Sequence, residues 1–326
     1  MKHKQSSTSA DVNGQRPKVL EHFIGQRGVV DRIRVALEAS WNDGTPLPHM
    51  LFVGPSGVGK TQLAQIIAKE VGTALKEQLA QNLQWPSSLQ GFLVEADDRD
   101  VLFIDEIHEL IPQTQTTLYR ALEEKKLFIG DIGCQHANGH LSETIPLSKF
   151  SLIAATTDQY ALLSPLLDRF RLVCHFLKYS PDELQILLDQ RCKMLGWSVK
   201  PAVLKAVAQR GRGVPRKALR LLEAVHRTAR AEGDSVMTME HFQRTCALEG
   251  LDHQGLDALE QRYLALLKEG KGAMRVSVLA ARLGLPLATI QQIVERPLLE
   301  EGFIEKHESG RRVLTVKGRE CAKPVD

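Results

Sequence analysis

Residues 49–72, HMLFVGPSGVGKTQLAQIIAKEVG, constrain this chain more than any other stretch. An apolar run leads straight into the octapeptide GPSGVGKT, of the form GxxxxGK[ST], and that loop opens onto a run with helical spacing. Strand, glycine-rich loop and helix N-terminus together make a cradle for phosphate, because loop amides and the positive end of the helix converge on one anion. In such a cradle Gly57 and Gly59 let the backbone wrap the phosphates. Lys60 reaches the β and γ oxygens, and the Thr61 hydroxyl ligates Mg²⁺. The expected ligand is therefore ATP with Mg²⁺.

The same grammar recurs downstream. VLFIDE (101–106) and FSLIAATT (150–157) are short apolar runs without alternation, separated by helical stretches, which predicts a parallel sheet covered on both faces. The fold class is thus α/β, a P-loop domain. Asp105 and Glu106 close the first run, where side chains emerge beside the ligand crevice. Asp105 is placed to hold Mg²⁺ through water, and Glu106 to orient and deprotonate the attacking water. Having both carboxylates predicts turnover. His108, with no partner visible in sequence, reads as a packing or hydrogen-bonding histidine. Either Thr156 or Thr157 can touch the γ-phosphate or the lytic water, and the other can cap a helix. Arg169, after Asp168 in SPLLDRF, is either a surface ion pair or a finger aimed at a neighbouring subunit's nucleotide; spacing does not decide.

Residues 1–15 are polar, with almost nothing to bury, and read as a disordered tail before a P-loop domain at 16–179. In VVDRIRVALEASW, Val30, Ile33, Leu37 and Trp41 recur at helical spacing. After Tyr179, Ser180 and Glu183 form a capping box with Pro181 at the first helical position, and helical patterning runs to about Leu248. This predicts an all-helical lid at 180–250. Within it, Arg216 and Arg220 lie on one helix face, Arg216 in a first turn where cations oppose the dipole. That placement points to a phosphate partner or to a solvated charge. Residues 251–326 give three helical stretches, with Pro297 expected to kink or split the third, and then a hairpin turning at Ser309 and Gly310. This is the order of a winged helix-turn-helix. Lys306, Arg311 and Arg312 flank its turn, suited to a phosphate backbone, although winged helices also dock proteins.

Composition excludes little. A net charge of +3 cannot by itself argue for nucleic acid. The five cysteines show no metal-like clustering, and no apolar run approaches the roughly 20 residues that a membrane helix needs. A reduced, cytoplasmic, globular chain is expected.

Taken in order, RPKVLEHFIGQ, GPSGVGKTQLAQIIA, VLFIDEIHEL, LYRALEE, SLIAATTDQYALLSPLLDRF, KYSPDEL and RGVPRKALRLL resemble the RuvB family of Holliday-junction branch-migration motors, AAA+ ATPases of DNA recombination and repair. The resemblance implies Arg169 as a trans-acting arginine finger, Arg216 as sensor 2, and Thr157 or its neighbour as sensor 1. It places Arg16, Gln62, Tyr179 and Arg220 around the nucleotide, Glu123 and Glu124 near the neighbouring subunit's ATP, and Lys306 and Arg311 on DNA. It also implies hexameric rings on duplex DNA, recruited by RuvA and coupled to the resolvase RuvC. Departures are the hairpin at 127–150, which docks RuvA in the family, and Glu109, Asp158 and Arg171, which replace two basic residues and a glycine. They suggest a divergent member or paralogue. The alternative function is an ATP-switched DNA-binding loader or initiator, or a paralogue that does not use RuvA.

Overall fold

The computed structural model describes residues 19–129, 143–270 and 273–322. Arg16, Cys134 and the tip of the hairpin at 127–150 lie outside the described residues. Contacts divide the chain into two compact units, one running to Gly196 and including Gly213–Leu219, the other made of Trp197–Arg212 and the residues from Arg220 onward.

The first unit is built on β1 (Met50–Val53), β2 (Leu75–Leu79), β3 (Val101–Asp105), a hairpin of β4 (Lys126–Ile129) and β5 (Glu143–Pro146), then β6 (Ser151–Thr156) and β7 (Leu172–His175). Five of these form a parallel sheet in the order β2-β3-β6-β1-β7. β6 is buried along its whole length, and β1 and β3 nearly so, which explains their unbroken apolar character. Val53 pairs with Thr156, and Ile104 with Ala154, so β1, β3 and β6 finish together at one edge. Helices α1 (Arg27–Asp43), α2 (Lys60–Val71), α3 (Pro86–Val94) and α4 (Pro112–Glu124) belong to this unit. Val29, Val30, Ile33 and Leu37 of α1 are buried. Trp41, expected on that face, is 55% exposed. Two successive steps of four residues turn a side chain roughly 80° around the axis, and by Trp41 the stripe has rotated off the core. After α5 (Ser164–Leu167), the predicted capping box of Ser180 and Glu183 opens α6 (Pro181–Leu195).

In the second unit, α7 (Pro201–Arg210) packs on a later helix, Met239–Leu248, and a two-stranded pair joins Ser198–Val199 to Val236–Met237. Two further antiparallel pairings build a three-stranded sheet in which Arg311–Leu314 is the middle strand, between Ala273–Arg275 and Ile304–Lys306. With helices Ala258–Glu269, Val276–Leu283 and a third helical segment over Leu287–Glu300, this is a winged helix around its own core of Tyr263, Leu279, Ile290, Leu298 and Phe303. Pro297 does not split the third segment, contrary to expectation: the helix continues from Leu287 to Glu300, and it absorbs the missing amide by widening into a π-helix, Ile290–Glu295, ahead of Arg296–Glu300. Arg212 sits inside this unit, its guanidinium donating to Glu260 at 2.6 Å and Glu301 at 2.5 Å.

Candidate nucleotide site and winged-helix surface

The loop after β1 has the geometry that its glycines permit. Gly57 has φ +80°, and a Cβ there would lie 2.9 Å from Arg216 Cβ. Gly59, at φ +102°, forms the left-handed entry to α2. Both positions are therefore closed to larger residues. Lys60 opens α2, is 6% exposed, and donates through Nζ to the carbonyls of Gly54 (2.7 Å) and Pro55 (3.0 Å). Burial holds its ammonium below the usual lysine range, against the pull of Glu106 and Asp105.

β3 delivers Asp105 to the same edge. The Thr61 hydroxyl donates to Asp105 Oδ2 at 3.3 Å, so two hard oxygen donors stand side by side at the mouth of the loop. That donor set suits Mg²⁺, and the amides at the N-terminus of α2 suit a polyphosphate. Glu106 follows in the left-handed region (φ 50°, ψ 47°), a conformation costly for a non-glycine residue. Its Oε2 accepts from the Thr157 amide and hydroxyl, both at 3.3 Å, and lies 3.3 Å from His108 Nδ1. Thr156 is fully buried, 3.1 Å from His108 Nδ1, and accepts from the Asp158 amide. The structure thus separates the two threonines: Thr157 holds Glu106, and Thr156 is internal. His108 is a hydrogen-bonding histidine, as expected.

A cleft beside the loop is lined by Phe23, Ile24, Gly59, Gln62, Tyr179 and Pro215. Phe23 and Ile24 were not singled out in the sequence, since an aromatic and an aliphatic residue before a helix carry no distinctive signal. Tyr179 is buried, its amide donates to Gly213 O at 2.9 Å, and burial raises its phenol well above the usual range. The Arg216 amide donates to Gly57 O at 3.2 Å, and its guanidinium to Ser56 Oγ at 3.4 Å, so this arginine lies against the P-loop. Arg220 is exposed and belongs to the second unit.

Arg169 lies elsewhere. It pairs with Glu123 at 2.7 Å and lines an open cavity with His49, Lys125, Lys149 and Arg171. His49, Lys149 and Arg171 each precede a strand, so this cavity is at the amino-terminal edge of the sheet, while the P-loop is at the carboxyl-terminal edge. A strand as short as β1 already separates those edges by roughly 13 Å. Burial, with Arg171 and Lys125 nearby, lowers the His49 pKa to about 4. Glu124 pairs with Lys126 at 3.4 Å.

On the winged helix, Lys306 and Arg311 are exposed. Arg311 stands directly opposite Arg275 on the neighbouring strand, and Arg275 is exposed too. Like charges so placed repel, and nothing in the sequence around Arg275 marks it; only the strand register does. Arg312 departs from the expectation of a cation free at the turn. It is 8% exposed and bonded to Glu295, because alternation along a strand turns it inward when Arg311 faces out.

Three family models account for nearly the whole chain: the Holliday junction DNA helicase RuvB P-loop domain over residues 15–176, the RuvB AAA lid domain over 179–252, and the RuvB C-terminal winged helix domain over 253–323. The chain is 35% identical to the Holliday junction branch migration complex subunit RuvB of Methanoregula boonei, over 93% of this chain and 90% of that one. It is 38% identical to the subunit of the same name from Paramagnetospirillum magneticum, over 93% and 87%. The chain belongs to the RuvB family. In three dimensions it is similar to the Thermotoga maritima RuvB Holliday junction branch migration motor, with a TM-score of 0.80 and 30% identity over 94% of this chain and 97% of that one.

The P-loop of this RuvB family member is a nucleotide-binding element. Of the residues expected at the nucleotide, from the motif or from the resemblance, the structure gathers Gly57, Gly59, Lys60, Thr61, Asp105, Glu106, Thr157, Arg216, Gln62 and Tyr179 around the loop or its adjoining cleft. It sets Arg169 and Glu123 together at the opposite edge. Among the described residues, no single helix is long and apolar enough to cross a membrane.

Proposed function

We propose that this chain is an ATP hydrolase acting as a DNA motor, which works in a homo-oligomeric ring to drive branch migration of Holliday junctions in recombination and repair. The observation that carries the reading is the split of the hydrolytic set. Lys60, Thr61, Asp105, Glu106 and Thr157 meet at one edge of the sheet, whereas Arg169 is at the other. An arginine so placed is out of reach of its own chain's triphosphate. It serves a neighbour's, and turnover then requires assembly.

In this reading the P-loop amides and Lys60 bind the β and γ phosphates, and Thr61 and Asp105 hold Mg²⁺, which supplies charge neutralisation for phosphoryl transfer. Glu106 orients and deprotonates the attacking water, with Thr157 fixing its carboxylate and reporting the γ-phosphate. Arg216 reads the bound nucleotide from the adjoining helix, with Arg16, Gln62, Tyr179 and Arg220 around it and Glu123 and Glu124 facing the neighbouring subunit. Residues 16–179, 180–250 and 251–326 act as ATPase, lid and winged-helix domains. Lys306 and Arg311, joined by Arg275, contact the DNA backbone. We read the ring as a cytoplasmic hexamer that takes RuvA-like and RuvC-like partners. The test is ATP turnover of the purified chain with and without four-way junction DNA and a RuvA protein. Junction DNA should raise turnover, and RuvA should raise it further. Turnover indifferent to DNA would overturn the motor reading.

A further inference from the structure

The third helical segment of the winged helix opens into its π turn just before Pro297, which has no amide hydrogen for the carbonyl four residues back and whose ring crowds that turn. The wider turn carries Glu295 inside, where its side chain is 3% exposed. There it meets Arg312 from the middle strand. Nε and Nη2 of Arg312 each lie 2.7 Å from Glu295 Oε1, and Nη1 donates to the carbonyl of Gly310, in the hairpin turn, at 2.8 Å. One guanidinium therefore ties the third segment, the middle strand and the turn together.

Stability alone does not explain this arrangement. Glu295 Oε2 is buried with no hydrogen-bond partner among the described residues, a cost that an apolar pair of similar volume in place of Glu295 and Arg312 would avoid. We propose that Glu295 and Arg312 are positioning residues that brace the wing, so that Arg311 and Arg275, paired on one face of the sheet, and Lys306, opposite Arg312 at the end of the neighbouring strand, keep fixed spacing around the wing's rim for a phosphate backbone. Lys306 is paired across from Arg312 itself, and Arg311 is its chain neighbour, so a shift of Arg312 moves both. The inference rests on the DNA-facing reading of the wing given above.

The informative variant of the full chain is Glu295→Gln, because two roles for Arg312 predict opposite signs. If Arg312 were itself a phosphate ligand, loosening it from Glu295 would tighten duplex binding and steepen its salt dependence. A brace predicts weaker binding, a shallower salt dependence, and faster amide exchange across the hairpin in the free protein. The double variant Glu295→Leu/Arg312→Met, which leaves no unpaired buried charge, should unfold at the same temperature as the wild type yet show the same faster exchange and weakened binding. Wild-type or tighter duplex binding by Glu295→Gln, or wild-type binding and exchange by the double variant, would overturn the brace. Lys306→Ala/Arg311→Ala separates the two levels of the argument. If that variant binds duplex like the wild type, the DNA-facing reading falls and takes the brace with it; if it is weakened while the braceless double variant is not, only the brace falls.

Discussion

Replacing Arg212 with methionine should destabilise the second unit by an amount that depends on pH in a defined direction. The Arg212 side chain and its partner Glu260 are each 4% exposed, and Glu301 is 16% exposed. Removing this cation takes from the buried Glu260 carboxylate the guanidinium that faces it. Breaking a buried pair in this way costs about 3–5 kcal/mol. At about 3–5 °C per kcal/mol for a cooperative unit of this size, the transition should fall by roughly 10–20 °C at neutral pH. Burial already lifts the Glu260 carboxyl above the ordinary carboxylate range, against the pull of Arg212. Without Arg212 it must rise further, so the folded chain binds that proton more tightly than the unfolded chain does. Stability of the variant is then recovered as pH falls through the folded-state pKa of Glu260 toward the ordinary carboxylate range, and is lost as pH rises back through it. Calorimetry of wild type and variant as pH is lowered from neutral toward the ordinary carboxylate range reads both effects. A variant that melts within a few degrees of wild type, or whose deficit grows as pH falls, would show that Arg212 does not offset the buried Glu260 charge.

Two further outcomes follow from the sites. Thr157→Val removes a hydroxyl that donates to Glu106 Oε2 while keeping the side-chain volume, so turnover should fall by roughly 10²-fold at unchanged nucleotide affinity; equal turnover would show that the contact does not position Glu106. Arg275→Ala should lower the slope of log affinity against log salt for duplex DNA by about one, and Arg275→Lys should restore it, whereas a slope unmoved by the alanine variant would return Arg275 to the solvated surface.

The legible parts of this fold were those where one physical demand dominates a local stretch. β1, β3 and β6 are buried on both faces and read as unbroken apolar runs, and the P-loop and the capping box at Ser180 are local motifs complete in themselves. β2 gave no such signal, because LKEQL is an edge strand that carries charge and is only partly buried. The choice between Thr156 and Thr157 was closed to sequence reasoning, since neighbouring residues at a strand end face opposite ways and only the strand's place in the sheet says which faces the crevice. The same ambiguity hid the difference between Arg311, exposed, and Arg312, bound to Glu295. Arg169 is a third case: its position opposite the P-loop is a fact of topology that spacing cannot hold.

The claim that ATP is cut at a subunit boundary is tested most directly by mixing two inactive variants, Arg169→Ala and Glu106→Gln. Each alone should bind ATP and fail to turn it over. Mixed in equal amounts and allowed to exchange protomers, about a quarter of the interfaces would join an intact Glu106 to an intact Arg169 from the neighbour, and hydrolysis should reappear. A mixture as inactive as its components, or an Arg169→Ala protein that hydrolyses ATP like the wild type, would contradict the account.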